Sequence, residues 1–151
     1  MTATSTDFPT VDQLRVNELP CHRGSDGGEI AVMESGIAVP FVMARAFSTR
    51  APKETVRGRH AHRCCSQFMI ASNGSIDIRC DDGRATAEFR LECADQGLLV
   101  PPGIWTEVKF ASDHAVLLVL CDRGYEVHDY IRDYDEFKNY RQALGEQRKQ
   151  S

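Results

Sequence analysis

Short apolar runs separated by turn-forming residues fill the middle of the chain. None of the stretches between them is long enough to hold a crossover helix. The runs are EIAVME, VPFVMARAF, QFMIASN, SIDIRC, TAEFRLE, GLLVPP, TEVKFA and AVLLVLC. Strands that recur at intervals of roughly ten residues are typical of an antiparallel sandwich or barrel rather than of βαβ units. The pattern therefore predicts an all-β fold.

Three turn signals divide these runs. The segment CHRGSDGGE, residues 21–29, is rich in glycine and predicts a tight loop between two strands. Asn73-Gly74 and Asp82-Gly83 are residue pairs that favour hairpin turns, and alternating apolar positions flank each pair. We therefore predict a β-hairpin at both pairs.

The pattern changes near the end of the chain. Tyr130, Tyr134 and Phe137 follow one another at i, i+4 and i+7, and Leu144 lies one further period along. This spacing predicts an amphipathic helix over about 129–144, packed through its aromatic face. Gly145 is expected to end the helix.

The length of 151 residues is enough for one domain with its own hydrophobic core. Residues 1–10 are polar and are expected to form a disordered leader. Residues 11–144, which include the helix, are expected to form the single domain, and residues 145–151 a solvated tail.

Composition and charge exclude several classes of function. The net charge of −4 offers no broad basic surface, so we do not expect nucleic-acid binding. No apolar run approaches the ~20 residues of a membrane helix, and the polar start lacks a signal segment, which favours the cytoplasm. The six cysteines are scattered without a CxxC pair and are expected to be buried free thiols. They are Cys21, Cys64, Cys65, Cys80, Cys93 and Cys121.

The segment RGRHAHRCCSQ, residues 57–67, carries the most distinctive chemistry. His60 and His62 are one residue apart on an expected strand, so their rings should project from the same face. The spacing resembles the first metal motif of cupins, in which HxH precedes a glutamate and, seven residues later, a glycine. Here Gln67 stands at the glutamate position and Gly74 at the glycine position.

The second cupin metal motif has Pro-x-Gly followed three positions later by a histidine. The matching segment is PPGIWT, residues 101–106, which places Thr106 where the histidine ligand would be. An amide and a hydroxyl are poor substitutes for a carboxylate and an imidazole around a divalent ion. We therefore expect no metal and no other cofactor.

The two histidines then have two alternative roles. They can be structural, hydrogen-bonded inside the barrel, or they can transfer protons, because imidazole titrates near a pKa of ~6.5. Their position on one face, close to several arginines, favours proton transfer.

Three longer segments together resemble one enzyme family. The combination of RGxHAHxxxxQ with PPxxW and DYIRDYDEF is similar to that of the nucleotide-sugar 3,4-ketoisomerases, a group of small cupins. The resemblance covers about Arg23 to Tyr140. It implies a jelly-roll barrel and a metal-free homodimer, often with exchange of an edge strand.

The resemblance also implies an activity and a set of site residues. Members of this family move the carbonyl of dTDP-4-keto-6-deoxyglucose from C4 to C3, supplying precursors of 3-amino-3,6-dideoxyhexoses. Their paired histidines are catalytic, which carries over to His60 and His62. The residues that would line or flank the substrate cavity are Arg23, Arg45, Arg57 and Gln67.

Three further residues are candidates for substrate contact. Trp105 could form a cavity wall, or it could fill the core. Thr106 lies where the family commonly has His or Arg, close to the sugar, and this departure leaves both C4 configurations of the product open. Tyr125 could cover the barrel mouth, whereas Tyr130 is expected to pack.

Two other functions remain as alternatives. A related epimerase would remove protons at C3 and C5, and a non-catalytic cupin would only bind the nucleotide sugar.

Overall fold

The computed structural model describes residues 8–150, which form antiparallel sheets and one C-terminal helix. The strands are β1 (Val16–Glu18), β2 (Cys21–Arg23), β3 (Glu29–Ala31), β4 (Arg45–Arg50), β5 (Val56–His62), β6 (Gln67–Asn73), β7 (Ile76–Asp81), β8 (Thr86–Leu91), β9 (Gln96–Val100), β10 (Trp105–Phe110), β11 (Val116–Cys121) and β12 (Tyr130–Ile131). The helix is α1 (Tyr134–Lys149). The prediction of an all-β cupin jelly roll with a C-terminal helix is confirmed.

The chain passes back and forth between two five-stranded sheets. One sheet has the strand order β1-β9-β6-β11-β4, and the other has the order β12-β5-β10-β7-β8. A short two-stranded sheet, β2-β3, stands apart from both. Because few neighbours in a sheet are consecutive in the chain, non-local pairing defines this fold.

The main core lies between the two large sheets. β7 alternates regularly, with Ile76 and Ile78 fully buried and Asp77 between them partly exposed. The opposite sheet contributes Met69, Leu98 and Val119 to the same core. Strand β6 is also covered on its other face, where Phe68 and Ile70 pack with Val39 from the long segment before β4. A cavity at one end of the core, described below, holds the functional residues.

The turn predictions had different outcomes. The loop at 21–29 joins β2 to β3, and Asp82-Gly83 lies in the β7–β8 hairpin, so both predictions are confirmed. The hairpin predicted at Asn73-Gly74 is wrong. That turn carries the chain from β6 in one sheet to β7 in the other, because each strand finds its hydrogen-bonding partners in a different sheet.

The predicted bounds of the helix, 129–144, were wrong at both ends. Residues 130 and 131 are held in extended form by pairing with β5, so the helix starts only after Asp133, whose side chain accepts the N–H of Glu136 at 2.8 Å. The helix also continues through Gly145 to Lys149, where a tail was expected. A side-chain hydrogen bond from Gln142 to Glu146 spans the glycine at 3.3 Å.

All six cysteines are free thiols, as expected. Cys65, Cys80 and Cys121 are buried, but Cys64 and Cys93 are exposed, so the prediction of burial was wrong for those two. Residues 1–7 of the expected leader lie outside the described residues. Among residues 8–150, no helix is long and apolar enough to span a membrane.

Candidate active site

A cavity of about 290 Å³ lies inside the barrel, between the two large sheets. Part of its wall is apolar and includes Met69, Val108 and Phe110. Its polar side chains come from β4, β5, β6, β10 and the segment around β12, and they are Thr49, Arg57, His60, Gln67, Thr106, Tyr130 and Arg132. Strands that lie far apart in the sequence therefore bring imidazole, amide, hydroxyl and guanidinium groups to one place.

The histidine pair lies where the alternation of β5 places it. The centroids of the His60 and His62 rings are 5.0 Å apart, and the rings are nearly perpendicular at 83°. The ring of Tyr130 packs against both, 5.1 Å from His60 and 4.4 Å from His62. His60 lines the cavity, whereas His62 is buried behind it.

A buried carboxylate fixes His62. Asp129 Oδ2 lies 2.6 Å from His62 Nδ1, and Asp129 Oδ1 accepts the backbone N–H of Cys64 at 2.6 Å. The hydrogen bond to a carboxylate makes Nδ1 the protonated nitrogen of a neutral ring, which leaves the lone pair on Nε2. His62 Nε2 is buried and has no hydrogen-bond partner among the described residues.

Burial controls the protonation of this group. Burial, together with repulsion from Arg132 and from the charged form of His62, lowers the pKa of His60 to about 4. Burial also lowers the pKa of His62, although its hydrogen bond to Asp129 opposes the shift. Burial would raise the pKa of Asp129, but the hydrogen bonds from His62 and the backbone outweigh it and lower that pKa. At neutral pH the site therefore holds two neutral imidazoles and one carboxylate.

The positions that resemble a cupin metal motif do converge. His60, Gln67 and Thr106 line the same cavity, and His60 and Thr106 are partners across β5 and β10. Counting His62, whose ring lies 5.0 Å from that of His60, only two of the four motif positions hold strong ligands for a transition metal, because an amide and a hydroxyl bind such ions weakly.

A second group of donor atoms comes from His62, Cys65 and Asp129, which lie within 4.8 Å of one another. Two of these three donors are already hydrogen-bonded to each other. The third is a thiol whose pKa is raised by its hydrogen bond to Cys121 and by burial. These three groups are therefore better suited to holding the His62 ring in place than to coordinating a cation.

Arginines surround the polar end of the cavity. Arg57 and Arg132 line it, and the guanidinium carbon of Arg132 lies 4.3 Å from the centroid of the Tyr130 ring. Arg45 lies beside the cavity, with its guanidinium 5.6 Å from the exposed ring of Tyr125. The ring of Tyr125 in turn packs 5.5 Å from that of Tyr130, so Arg45 and Tyr125 flank the cavity rather than line it.

Trp105 does not line the cavity, so of its two predicted roles the structure supports packing in a core rather than a cavity wall or substrate contact. The ring lies 5.3 Å from that of Tyr134 and 5.6 Å from that of Phe137, in a separate cluster under α1. Neighbouring residues of a strand face opposite ways, so Thr106 points inward and Trp105 outward. The helix covers that outer face, which is why the tryptophan is still buried.

Arg23 is also placed away from the cavity of its own chain. It lies on β2 with an exposed side chain and forms ion pairs with Glu29 at 3.4 Å and Asp95 at 3.3 Å. The small β2–β3 sheet holds it there.

Sequence reasoning missed three residues of the site. Tyr130 was assigned to packing on a helix, and Asp129 and Arg132 were not considered. All three belong to the segment DYIRD: Tyr130 and Arg132 are alternate residues that line the cavity, whereas Asp129 lies in the turn just before β12 and bonds to His62. The sequence did offer a signal for this part of the site, because the polar residues Asp129 and Arg132 flank the short pair Tyr130-Ile131.

Comparison with known proteins finds a family and related enzymes. Residues 12–142 match the family model described as "FdtA: WxcM-like, C-terminal". A TDP-4-oxo-6-deoxy-alpha-D-glucose-3,4-oxoisomerase from Aneurinibacillus thermoaerophilus is 36% identical over 114 residues, which cover 75% of this chain and 82% of the relative.

Solved structures agree in fold. The sugar 3,4-ketoisomerase QdtA from Thermoanaerobacterium thermosaccharolyticum, in complex with TDP, superposes with a TM-score of 0.83 at 27% identity, covering 89% of this chain and 98% of that one. The TDP-quinovose 3,4-ketoisomerase WlaRB from Campylobacter jejuni superposes with a TM-score of 0.78 at 32% identity, covering 85% and 99%.

Proposed function

The chain belongs to the FdtA family of WxcM-like C-terminal domains, and from this premise we propose that it converts dTDP-4-keto-6-deoxyglucose to a dTDP-3-keto-6-deoxyhexose. It is an isomerase of the sugar 3,4-ketoisomerase class. The observation that carries the mechanism is the neutral His60 imidazole in the cavity, backed by the hydrogen-bonded His62 and Asp129.

His60 is the proposed carbon base. The hydrogen on C3 of the substrate is acidified by the neighbouring C4 ketone, so a neutral imidazole can remove it and leave an enediolate. Protonation of C4 from the resulting imidazolium then yields the 3-ketone. The lowered pKa keeps His60 neutral at the start of this cycle and makes the imidazolium a strong acid for the second step.

His62 is the proposed carrier of the hydroxyl proton, which must move between the two oxygens. Its Nε2 is free to accept a proton, and the carboxylate of Asp129 stabilises the imidazolium that forms. Thr106 lines the same cavity and supplies a hydrogen-bond donor for the oxygen that gains negative charge.

The arginines at the cavity are the proposed anchor for the nucleotide. Within residues 8–150, no carboxylate forms an ion pair with Arg57 or Arg132, so both guanidinium groups are available to a diphosphate. The cavity of about 290 Å³ suits a sugar ring, with the nucleotide extending outward from its mouth. The TDP complex of the QdtA relative supports this assignment.

We also propose a cytoplasmic homodimer. Three large apolar side chains of the segment 30–42 are strongly exposed in the single chain: Ile30 at 66%, Ile37 at 72% and Val42 at 77%. Burial of these three side chains against a second copy, with exchange of an edge strand near β2–β3, would remove them from water. The free thiols are those expected in a reducing compartment.

An NMR experiment tests the reaction. The protein is incubated with dTDP-4-keto-6-deoxyglucose in deuterated water, and the carbonyl position and the deuterated carbons are read directly. We expect a 3-keto product that carries deuterium at C4. Exchange at C5 with a change of configuration would instead indicate an epimerase, and no exchange at any carbon would indicate a protein that only binds the sugar.

A further inference from the structure

A buried cysteine lies in the same row of the sheet as two residues of the proposed site. Cys121 on β11 is the register partner of Arg45 on β4 and of Gln67 on β6. Side chains of register partners in a sheet point to the same face, so the three project together into the barrel. Cys121 is fully buried, and Gln67 lines the substrate cavity.

Hydrogen-bond donors surround the sulfur of Cys121. The Nη2 atom of Arg45 lies 3.6 Å from Sγ, and the Nε2 atom of Gln67 lies 3.8 Å from it. The thiol of Cys65, from the turn before β6, lies close enough to Cys121 to affect its ionisation, but it donates its proton to the carbonyl oxygen of Ser66 at 3.4 Å. A neutral thiol is a weak acceptor, whereas a thiolate is an anion that can only accept. Two donors converging on one sulfur, one of them a cation, favour a thiolate.

We propose that Cys121 is a thiolate in the working enzyme and acts as a positioning residue that holds Arg45 and Gln67 for the isomerisation. This inference rests on the proposed function. The interaction with Cys65 and the hydrogen bond and charge of Arg45 lower the pKa of Cys121 despite its burial. The same interaction and burial raise the pKa of Cys65, so that thiol stays protonated.

The thiolate has a specific effect on Gln67. Because an anion accepts only, it selects the orientation of the amide in which Nε2 faces the sulfur. The carbonyl oxygen Oε1 is then the atom left for the sugar, where it can accept a hydrogen bond from a hydroxyl. The thiolate also balances the charge of Arg45, which lies next to Tyr130 and His62.

The ionisation can be measured without substrate. Protein labelled with 13C at cysteine Cβ is titrated by NMR, and the Cys121 signal is identified by its loss in the Cys121→Ser variant. The groups that face this sulfur are Cys65 and Arg45, with Tyr130 beyond Arg45 and Asp129 beyond Cys65. We expect Cys121 to titrate well below the ordinary thiol pKa of ~8.5, and Arg45→Met to raise its midpoint. A midpoint at or above the ordinary value would overturn the proposal.

The positioning role is tested with a matched pair of variants. Cys121→Ala and Cys80→Ala each remove one fully buried thiol, but Cys80 packs in the core on β7. Misplaced groups cost on the order of 10- to 100-fold in rate. We expect a loss of this size in kcat/KM for Cys121→Ala and no comparable loss for Cys80→Ala. Equal kcat/KM values for the two variants would overturn the positioning role of Cys121.

Cys121→Ser is the second variant, for use if the cavity created by Cys121→Ala prevents folding. Serine should keep the fold, because it retains a polar group of similar size. This variant is expected to lose any limb of the pH–activity profile that follows the thiolate titration. An inactive wild-type protein would refute the proposed function instead, while the NMR titration would still decide whether Cys121 ionises.

Discussion

His62 and Asp129 are joined by a hydrogen bond of 2.6 Å between Nδ1 and Oδ2, although 67 residues separate them in the sequence. Both side chains are buried, and Asp129 is held in turn by the N–H of Cys64. The carboxylate therefore fixes the tautomer of His62 and stabilises its charged form. We regard this contact as the feature that turns a pair of buried histidines into a proton-transfer site.

Asp129→Asn is expected to lower kcat strongly while the fold persists. The amide oxygen can still accept the N–H of Cys64, but the amide no longer fixes the tautomer of His62 or balances its charge. A comparable change in a serine protease triad costs about 10⁴ in kcat, so a loss of at least ~100-fold is expected here. Turnover of the 4-keto sugar and 15N NMR of the His62 ring would measure both effects. The exposed Asp113→Asn variant is the control, and normal kcat in Asp129→Asn would contradict the positioning role.

His60→Asn is expected to abolish turnover. A general acid–base group contributes roughly 10²–10⁴-fold, and His60 is assigned to both carbon steps, so the loss should lie at or above the upper end. His114→Asn is a matched control, because His114 adopts a positive φ of 59°, a conformation that asparagine tolerates. Solvent deuterium incorporation at C4 is the measurement. An active His60→Asn enzyme would refute the base assignment.

The free energy of unfolding should decrease as the pH is lowered, because His60 has a lowered pKa in the folded protein. Its pKa is about 4 in the folded protein, against ~6.5 for an unfolded chain, so between these values the unfolded state binds more protons. The stabilisation is complete above pH ~6.5 and is lost as the pH falls toward ~4, by about 3 kcal/mol. Urea unfolding across this range, compared between wild type and His60→Asn, measures the effect. Identical pH slopes in the two proteins would show that His60 is not the group responsible.

Arg132→Met is expected to weaken nucleotide binding without loss of fold. The side chain lines the cavity against Tyr130, and a charge-assisted hydrogen bond to phosphate contributes about 1.5–3 kcal/mol. Loss of one such bond should raise the Kd for dTDP by roughly tenfold or more, as measured by calorimetry. Arg79→Met, on β7 outside the cavity, is the control and should bind dTDP normally. Equal Kd values for the two variants would remove Arg132 from the phosphate site.

Gly97→Ala is expected to destabilise the barrel. A Cβ atom at this position would lie 2.0 Å from Cε1 of Phe68, which is fully buried and cannot move aside freely. Overpacking of this kind costs about 1–3 kcal/mol in the free energy of unfolding. Gly145→Ala meets no atom within 4 Å and lies inside α1, so it should stabilise by roughly 0.5–1 kcal/mol. Denaturation curves should show a lower free energy of unfolding for Gly97→Ala and a higher one for Gly145→Ala, each relative to wild type.

Local pattern alone predicted much of the fold and of the site. Alternation along β5 placed His60 and His62 on one face, because the side-chain period of a strand is two wherever the strand lies. The Asp82-Gly83 turn was predicted for a similar reason, since its residues govern the backbone directly. The resemblance of three segments, RGxHAHxxxxQ, PPxxW and DYIRDYDEF, to known enzymes also indicated the family.

Local pattern could not decide which strands pair. The Asn73-Gly74 turn has the residues of a hairpin, yet β6 and β7 join different sheets, because burial of both faces of β6 outweighs pairing with its neighbour in sequence. The same ambiguity affected Trp105 and Thr106. Alternation places them on opposite faces of β10, but both faces are covered, so only the position of α1 shows which side is the cavity.

The sequence by itself determined the all-β class, most of the central strands, the paired histidines and the family. The tertiary structure alone decided that Asp129 fixes His62, that Cys121 faces Arg45 and Gln67, and that Trp105 packs under the helix. The physical reason is the range of the interactions involved. Periodicity and turn preference act over a few residues, whereas a buried hydrogen bond depends on burial and pairing between segments far apart in the chain.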